Sequence, residues 1–265
     1  MPDWAAVVIL GVIEGITEFL PISSTGHLLL AENSHLLPPQ SELFNVVIQA
    51  GAVLAVFLAF SGRVKDLLLD LGDRETRAYL YKLALAFALT GAGGLAAKKL
   101  GFALPKEIWP IAWATLFGGV LILVIEWSFG GNDLGDDVTW PIAVAVGLAQ
   151  LLAAVLPGTS RAGATILIAI AFGLSRPAAT EFSFLLGIPT LWAAGGYEIY
   201  QELKHPGPVP TDWHMVALST VVSAIVAFVV VRWILHWVQT HTFVIFGWYR
   251  IALGLFMVAL GYNPR

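Results

Sequence analysis

Glu14 to His27 reads E-G-I-T-E-F-L-P-I-S-S-T-G-H and lies within some of the most apolar sequence of the chain. It holds two carboxylates, two serines, two threonines and an imidazole. Groups of this kind are costly in hydrocarbon, so a cluster of them marks a functional site facing a protein-lined cavity. The flanks Val12, Ile13, Ile16, Phe19 and Leu20 argue against the alternative of a helix end reaching into headgroups.

The whole chain agrees with that setting. Its 265 residues are 58% hydrophobic and 12% charged, with a mean hydropathy of +0.80, against about 25% charged in a typical soluble domain. This composition predicts a polytopic membrane protein, folded as one integral-membrane domain over 1–265. Asp3 and Trp4 stand where a signal peptide would carry basic residues, so the first segment is expected to be retained as structure. The absence of cysteine excludes disulfides, thiolate chemistry and Cys-ligated metals. A net charge of −4 without a basic block argues against nucleic acid as a partner.

About 20 apolar residues are needed to cross hydrocarbon, and six segments qualify: roughly 43–61, 79–97, 108–127, 181–200, 215–237 and 243–262. Two others, 4–33 and 138–174, are interrupted near their middles by L-P-I-S-S-T-G-H and L-P-G-T-S-R-A-G. Proline stops a helix, and Ser, Thr and Gly suit a turn and a fresh N-cap. Each stretch therefore predicts a half-helix, a turn and a second half-helix. Irregular backbone at membrane depth needs a protein or water cover, which places both turns inside the bundle.

The two interruptions align at a single constant offset. Gly11 falls on Gly147, Glu14 on Gln150, Leu20-Pro21 on Leu156-Pro157, Ser23 on Thr159, Ser24 on Ser160 and Thr25 on Arg161. Three spans follow each, opening with Glu42 and with Glu181. The expected architecture is all-α, with two inverted-topology repeats of about 1–128 and 138–265, each a re-entrant broken-helix hairpin plus three transmembrane helices. Arg63, Lys65, Arg74 and Arg77, with Lys82 beyond, place the 62–78 loop on the cytoplasmic side and the first hairpin's mouth outside, against Lys98, Lys99 and Lys106 in the opposing loop. The loops 130–137 and 205–212 read as solvated connections, and His35 as a residue of a polar turn. Trp109, Trp140, Trp213 and Trp248 suit an aromatic belt, and Arg232, His236, His241 and Arg250 suit interfacial, snorkelling positions.

Glu14 and Glu18 are four residues apart and about 40° apart around a helix. Two carboxylates that close call for a divalent cation, an arginine or a shared proton between them. With oxygen ligands only, magnesium or calcium is the natural metal, shared with substrate phosphate. Ser23, Ser24, Thr25 and Gly26 open the second half-helix, where free N–H groups form an anion site and hydroxyls can equally cap the helix. His27, one turn beyond Ser24, is expected to reach that hydroxyl as an acid or base. Arg161, with Thr159, Ser160 and Thr165 around it and Gly158 and Gly163 beside it, brings a fork suited to phosphate or to a carboxylate of the glutamate pair. The set fits phosphoryl transfer.

The paired motifs at 14–27 and 156–165 resemble those of the undecaprenyl-diphosphate phosphatases, the bacitracin-resistance family, and the likeness extends over essentially the whole chain. It implies a bacterial plasma-membrane enzyme, with its active site open to the outer face, that hydrolyses undecaprenyl diphosphate to the monophosphate carrier of cell-wall synthesis. It implies a divalent cation, Mg2+ or Ca2+, on Glu14 and Glu18. It further implies catalytic roles for Glu14, Glu18, Ser24, His27 and Arg161, with Ser23, Thr25, Gly26, Thr159 and Ser160 on the diphosphate. Ala162 departs from the family pattern, which has a second serine there. The expected partners are the polyprenyl diphosphate and the bilayer, with a homodimer left open. A lipid transporter or flippase using the same anion site is the alternative.

Overall fold

The computed structural model describes residues 2–33, 37–101, 108–129, 134–208 and 210–261. His35 and Lys106 lie outside the described residues. The described chain is helical, in the order α1 (Asp3–Thr17), α2 (Ser24–Asn33), α3 (Glu42–Ala59), α4 (Ser61–Leu69), α5 (Arg74–Lys99), α6 (Ile108–Phe129), α7 (Trp140–Val155), α8 (Arg161–Ala171), α9 (Arg176–Lys204), α10 (Trp213–Trp237) and α11 (Val244–Gly261).

Helix starts are written locally. Ser41 accepts from Phe44 N at 3.1 Å, Asp73 from Thr76 N at 2.7 Å, Thr139 from Ile142 N at 3.5 Å and Ser175 from Ala178 N at 3.3 Å. Each hydroxyl or carboxylate satisfies an N–H that lacks an intrahelical partner. The capping oxygen of Asp73 also holds its carboxyl below the usual carboxylate range, because the Thr76 N–H stabilises the charged form.

Helices α3, α5, α6 and α10 are long and apolar enough to cross a membrane. Two differences from the sequence expectation stand out. The 62–78 segment is not one loop: α4 forms within it, and the Asp73 cap starts α5 at Arg74, so Arg74 and Arg77 are helical. Ser175 likewise starts α9 early, giving 29 residues where about 181–200 was expected. The polar first turns of α9 are packed inward, with Thr180 and Ser183 fully buried. The outward faces of the spans are apolar, including Leu58, Leu95, Phe117, Trp127, Ile225 and Val229, as a lipid-facing surface requires and a water-facing one avoids.

Small polar residues stitch the helices together. Ser219 Oγ donates to Val7 O at 2.8 Å and Ser223 Oγ to Ile48 O at 3.0 Å, tying α10 to α1 and α3. Thr90 Oγ1 donates to Gly147 O at 3.0 Å and receives Gln150 Nε2 at 3.1 Å, tying α5 to α7. Such contacts suit helices in lipid, where close approach and interhelical hydrogen bonds replace hydrophobic exclusion. Helix α1 thus lies on α10 and α7 on α5, while α3 packs on α9 and α6 on α11.

Ion pairs brace one end of the bundle, the first with a buried carboxylate and the second more exposed. Glu126 of α6 accepts from Arg176 at the start of α9 and from Phe243 N at 2.8 Å, just before α11. Arg63 Nε of α4 reaches Glu181 of α9 at 3.1 Å. The segment before α7 is more than a solvated connection: Gly135 N donates to Gly173 O at 3.0 Å and Ser175 N to Gly135 O at 2.7 Å. That parallel bridge closes the mouth of the α7–α8 hairpin.

Candidate active site

Both interruptions fold as turns that end in a serine of left-handed conformation. Ser23 has φ 72° and Ser160 φ 69°, a region where a residue with a Cβ costs on the order of 1–3 kcal/mol. Each then caps the half-helix it starts. Ser23 Oγ accepts from Gly26 N at 3.3 Å and Ser160 Oγ from Gly163 N at 3.1 Å. This corrects the alignment of the motifs. Two residues, Gly158 and Thr159, separate Pro157 from its cap, whereas Ile22 alone separates Pro21 from Ser23. Ser23 therefore corresponds to Ser160 and Ser24 to Arg161, each the first residue of its helix. A gap of one residue shifts sequence matching but not the geometry of an N-cap.

The two first residues meet at one carboxylate. Glu18 sits at the C-cap of α1, and its N–H still bonds Glu14 O at 3.0 Å, so Glu14 and Glu18 share a helix face. Glu18 Oε2 accepts from Ser24 Oγ at 2.7 Å. Its Oε1 accepts from Arg161 Nε at 3.4 Å and Nη2 at 3.3 Å. Arg161 Nη1 donates to Ser183 O at 3.2 Å, and the guanidinium lies 5.8 Å from the Phe19 ring. A Cβ on Gly187 would fall 2.8 Å from Arg161 Nη1, so α9 carries glycine where the guanidinium passes. Glu14 is fully buried, and neither of its carboxylate oxygens has a hydrogen-bond partner.

His27 is placed differently from the expectation that it reaches Ser24. Its Nδ1 lies 2.7 Å from Ser23 O and its Nε2 2.7 Å from Tyr249 Oη. The backbone explains this: on a helix the residue four back, Ser23, presents its carbonyl toward His27, while Ser24 turns to Glu18. Thr25 is exposed, and Thr159 is half-buried. Thr165 is fully buried and bonded to Arg161 O and Ser183 Oγ at 2.8 and 2.6 Å, which removes it from the hydroxyls available to an anion.

Arg250, read from sequence as interfacial, is instead fully buried. Its Nε donates to Thr115 O, Nη1 to Pro21 O and Thr159 O, and Nη2 to Ala114 O and Gly158 O, all between 2.9 and 3.2 Å. Five donors are all a guanidinium has. One side chain thus satisfies carbonyls of both hairpin turns and of α6. A Cβ on Gly118 would fall 2.1 Å from Arg250 Nη2, so α6 must carry glycine there.

The family described as "Bacitracin resistance protein BacA" matches residues 7–256. The chain belongs to that family. A Rhizobium etli protein named undecaprenyl-diphosphatase is 48% identical over 259 residues, covering 97% of each chain. A Xanthomonas oryzae pv. oryzae protein of the same name is 48% identical over 255 residues, covering 96% of each.

Within this BacA family member, Tyr249 and Arg250 are the site residues that sequence reasoning missed. A signal was present: a charge in the middle of the apolar run 243–262 is a functional flag by the same rule that selected Glu14. A cavity of about 1330 Å³ lies elsewhere, among Arg63, Tyr79, Lys82, Asp137, Glu181 and Gln239, and shares no lining residue with the Glu18 cluster. Among the described residues no group of three or more His, Asp or Glu side chains is arranged to hold a metal. Glu14 and Glu18 offer two carboxylates, one of them unpartnered, which fits a magnesium-type ion that completes its shell with substrate oxygens and water.

Proposed function

We infer that this protein is the membrane phosphatase that hydrolyses undecaprenyl diphosphate to undecaprenyl phosphate and inorganic phosphate, recycling the lipid carrier of cell-wall polymers. The observation that carries the chemistry is the convergence of Ser24 Oγ and Arg161 on the Glu18 carboxylate, at the first residues of two facing half-helices. Family membership and two relatives named for this reaction point the same way.

The residues divide the work as follows. The starts of α2 and α8 offer backbone N–H groups to the diphosphate. Arg161 uses three of its five N–H groups on Glu18 and Ser183, leaving two for phosphoryl oxygens. Glu18 accepts the Ser24 hydroxyl proton, which prepares Oγ either to attack the terminal phosphorus or to position the attacking water. His27 Nε2 manages the proton at the leaving oxygen. Ser23 and Ser160 hold the half-helix starts in place as caps, with Gly26, Thr25 and Thr159 beside the anion. A divalent cation, Mg2+ or Ca2+, on Glu14 and Glu18 would supply charge neutralisation of the diphosphate.

We further propose that residues 1–128 and 138–265 are inverted repeats. Matched packing supports this, since α1 pairs with α10 as α7 pairs with α5, and so do the twin serine caps. The basic residues around α4 favour that end as cytoplasmic and the α1–α2 mouth as the outer face of a bacterial plasma membrane.

The test is inorganic phosphate release from a C55 polyprenyl diphosphate by purified, detergent-solubilised protein, with magnesium, calcium or chelator. Release that depends on the metal and disappears in Glu18→Gln is expected. Tight lipid binding without release under every condition would instead leave a lipid carrier built on the same anion site.

A further inference from the structure

We infer that Tyr249 is a positioning residue for the phosphatase reaction, its hydroxyl holding the His27 imidazole in place through Nε2. The inference rests on the role given to His27 above. It starts from two contacts of equal length: Nδ1 to Ser23 O and Nε2 to Tyr249 Oη, both 2.7 Å.

The Ser23 carbonyl can only accept, so Nδ1 carries a proton in every ionisation state of the ring. In the neutral ring Nε2 is then bare and accepts from the tyrosine O–H. In the imidazolium Nε2–H donates to the same oxygen, which retains a lone pair for it. A hydroxyl is thus a partner for both forms without rotation of the ring. A carboxylate at this place would favour the imidazolium alone, and a methyl group would favour neither. The two rings are parallel within 2° with centroids 5.7 Å apart, so the contact fixes ring orientation as well as hydrogen bonding. The Ser23 carbonyl at Nδ1 sets which nitrogen is left for chemistry, and the Tyr249 hydroxyl holds that nitrogen in place until the leaving oxygen takes its position.

Placement supports the role. Tyr249 is 44% exposed, which leaves the His27–Tyr249 pair reachable from outside the buried Glu18 cluster. Its neighbour Arg250 is fully buried and bonded to both hairpin turns. The tyrosine is therefore anchored at its backbone to the same turns that carry Ser23 and Ser160. Among the described contacts, Tyr249 Oη is the one that links α11 to a side chain of the Glu14–His27 motif.

The experiment compares Tyr249→Phe, His27→Gln and the double variant with the full-length protein in detergent, measuring kcat and KM for a C55 polyprenyl diphosphate. It also records the ring 15N resonances of His27 in histidine-labelled protein. Tyr249→Phe keeps the ring and should leave the thermal midpoint and KM close to wild type while lowering kcat on the order of tenfold. It should move the His27 Nε2 resonance and spare Nδ1, and it should cost nothing further in the His27→Gln background. Wild-type kcat with an unmoved Nε2 resonance in Tyr249→Phe, while His27→Gln is impaired, overturns the positioning role and leaves His27's role standing. Full activity in His27→Gln removes the role of His27 itself, and this inference with it. Should Tyr249→Phe fold poorly, Tyr249→His keeps a ring hydrogen-bonding group; recovery of kcat and of the Nε2 resonance supports the role, and recovery of folding alone overturns it.

Discussion

Ser24 and Arg161, drawn from opposite halves of the chain, stand at the same position in their half-helices and close on opposite oxygens of one carboxylate, Glu18. The proposed nucleophile and the guanidinium proposed to bind phosphate therefore share a common anchor. Arg161 keeps two N–H groups free of Glu18 and Ser183, so on the proposed mechanism it can meet phosphoryl oxygens without releasing the anchor.

Loss of the anchor is expected to stop turnover. Glu18→Gln keeps size and a hydrogen-bond acceptor but removes the base and the charge opposite Arg161. Phosphate release should fall on the order of 10²-fold or more, and Ser24→Ala should fall comparably, the double variant adding little because the pair acts as a unit. Steady-state phosphate assays on all three variants measure this; strict multiplicativity of the single losses would contradict the shared role.

Arg161→Lys is not a conservative change here. A lysine presents a point charge where a planar fork now spans Glu18 and Ser183 O. KM for the diphosphate lipid should rise about tenfold, or about 1.4 kcal/mol of lost binding, with a smaller fall in kcat. Direct lipid-binding measurements alongside kinetics would separate the two.

Gly187→Ala should damage activity without touching any polar group. The added Cβ would sit 2.8 Å from Arg161 Nη1, so the guanidinium must leave its place between Glu18 and α9. The expected result is a folded protein, judged by an unchanged thermal midpoint, with raised KM; an unchanged KM would place the arginine's working position elsewhere.

Arg250→Met should chiefly lower stability. It removes the Arg250 donors from Pro21 O and Thr159 O in the two turns, while Gly158 O keeps Thr115 Oγ1 at 3.5 Å and Ala114 and Thr115 stay within α6; each buried carbonyl left unsatisfied costs about 1–3 kcal/mol, with little water in a membrane interior to replace the donor. The thermal midpoint of the detergent-solubilised protein, followed by size-exclusion recovery, should drop well below that of Arg232→Met, which alters an exposed arginine on α10.

Glu14→Gln tests the cation. Glu14 has no hydrogen-bond partner to lose, so stability should hold while the metal concentration for half-maximal activity rises about 10–100-fold. Recovery of activity at high magnesium or calcium would support a ligand role; a loss insensitive to metal concentration would exclude it.

The membrane setting, the two interrupted stretches and the motifs proposed to bear chemistry were legible along the chain alone. These are one-dimensional facts: a proline followed by hydroxyl residues ends a helix wherever it stands, and a carboxylate in an apolar run is conspicuous without coordinates. Side-chain partners came from packing. Whether Ser24 turns to His27 or to Glu18 depends on how the Phe19–Ser23 turn closes, and the cap that sets it shifted the motif alignment by one residue. Arg250 shows the difference most plainly. An arginine in a span can snorkel or bury, and only the convergence of five carbonyls from α6 and both hairpin turns supplies enough hydrogen bonds to keep a guanidinium inside. That convergence is a property of three distant segments packed together, which no window along the chain contains.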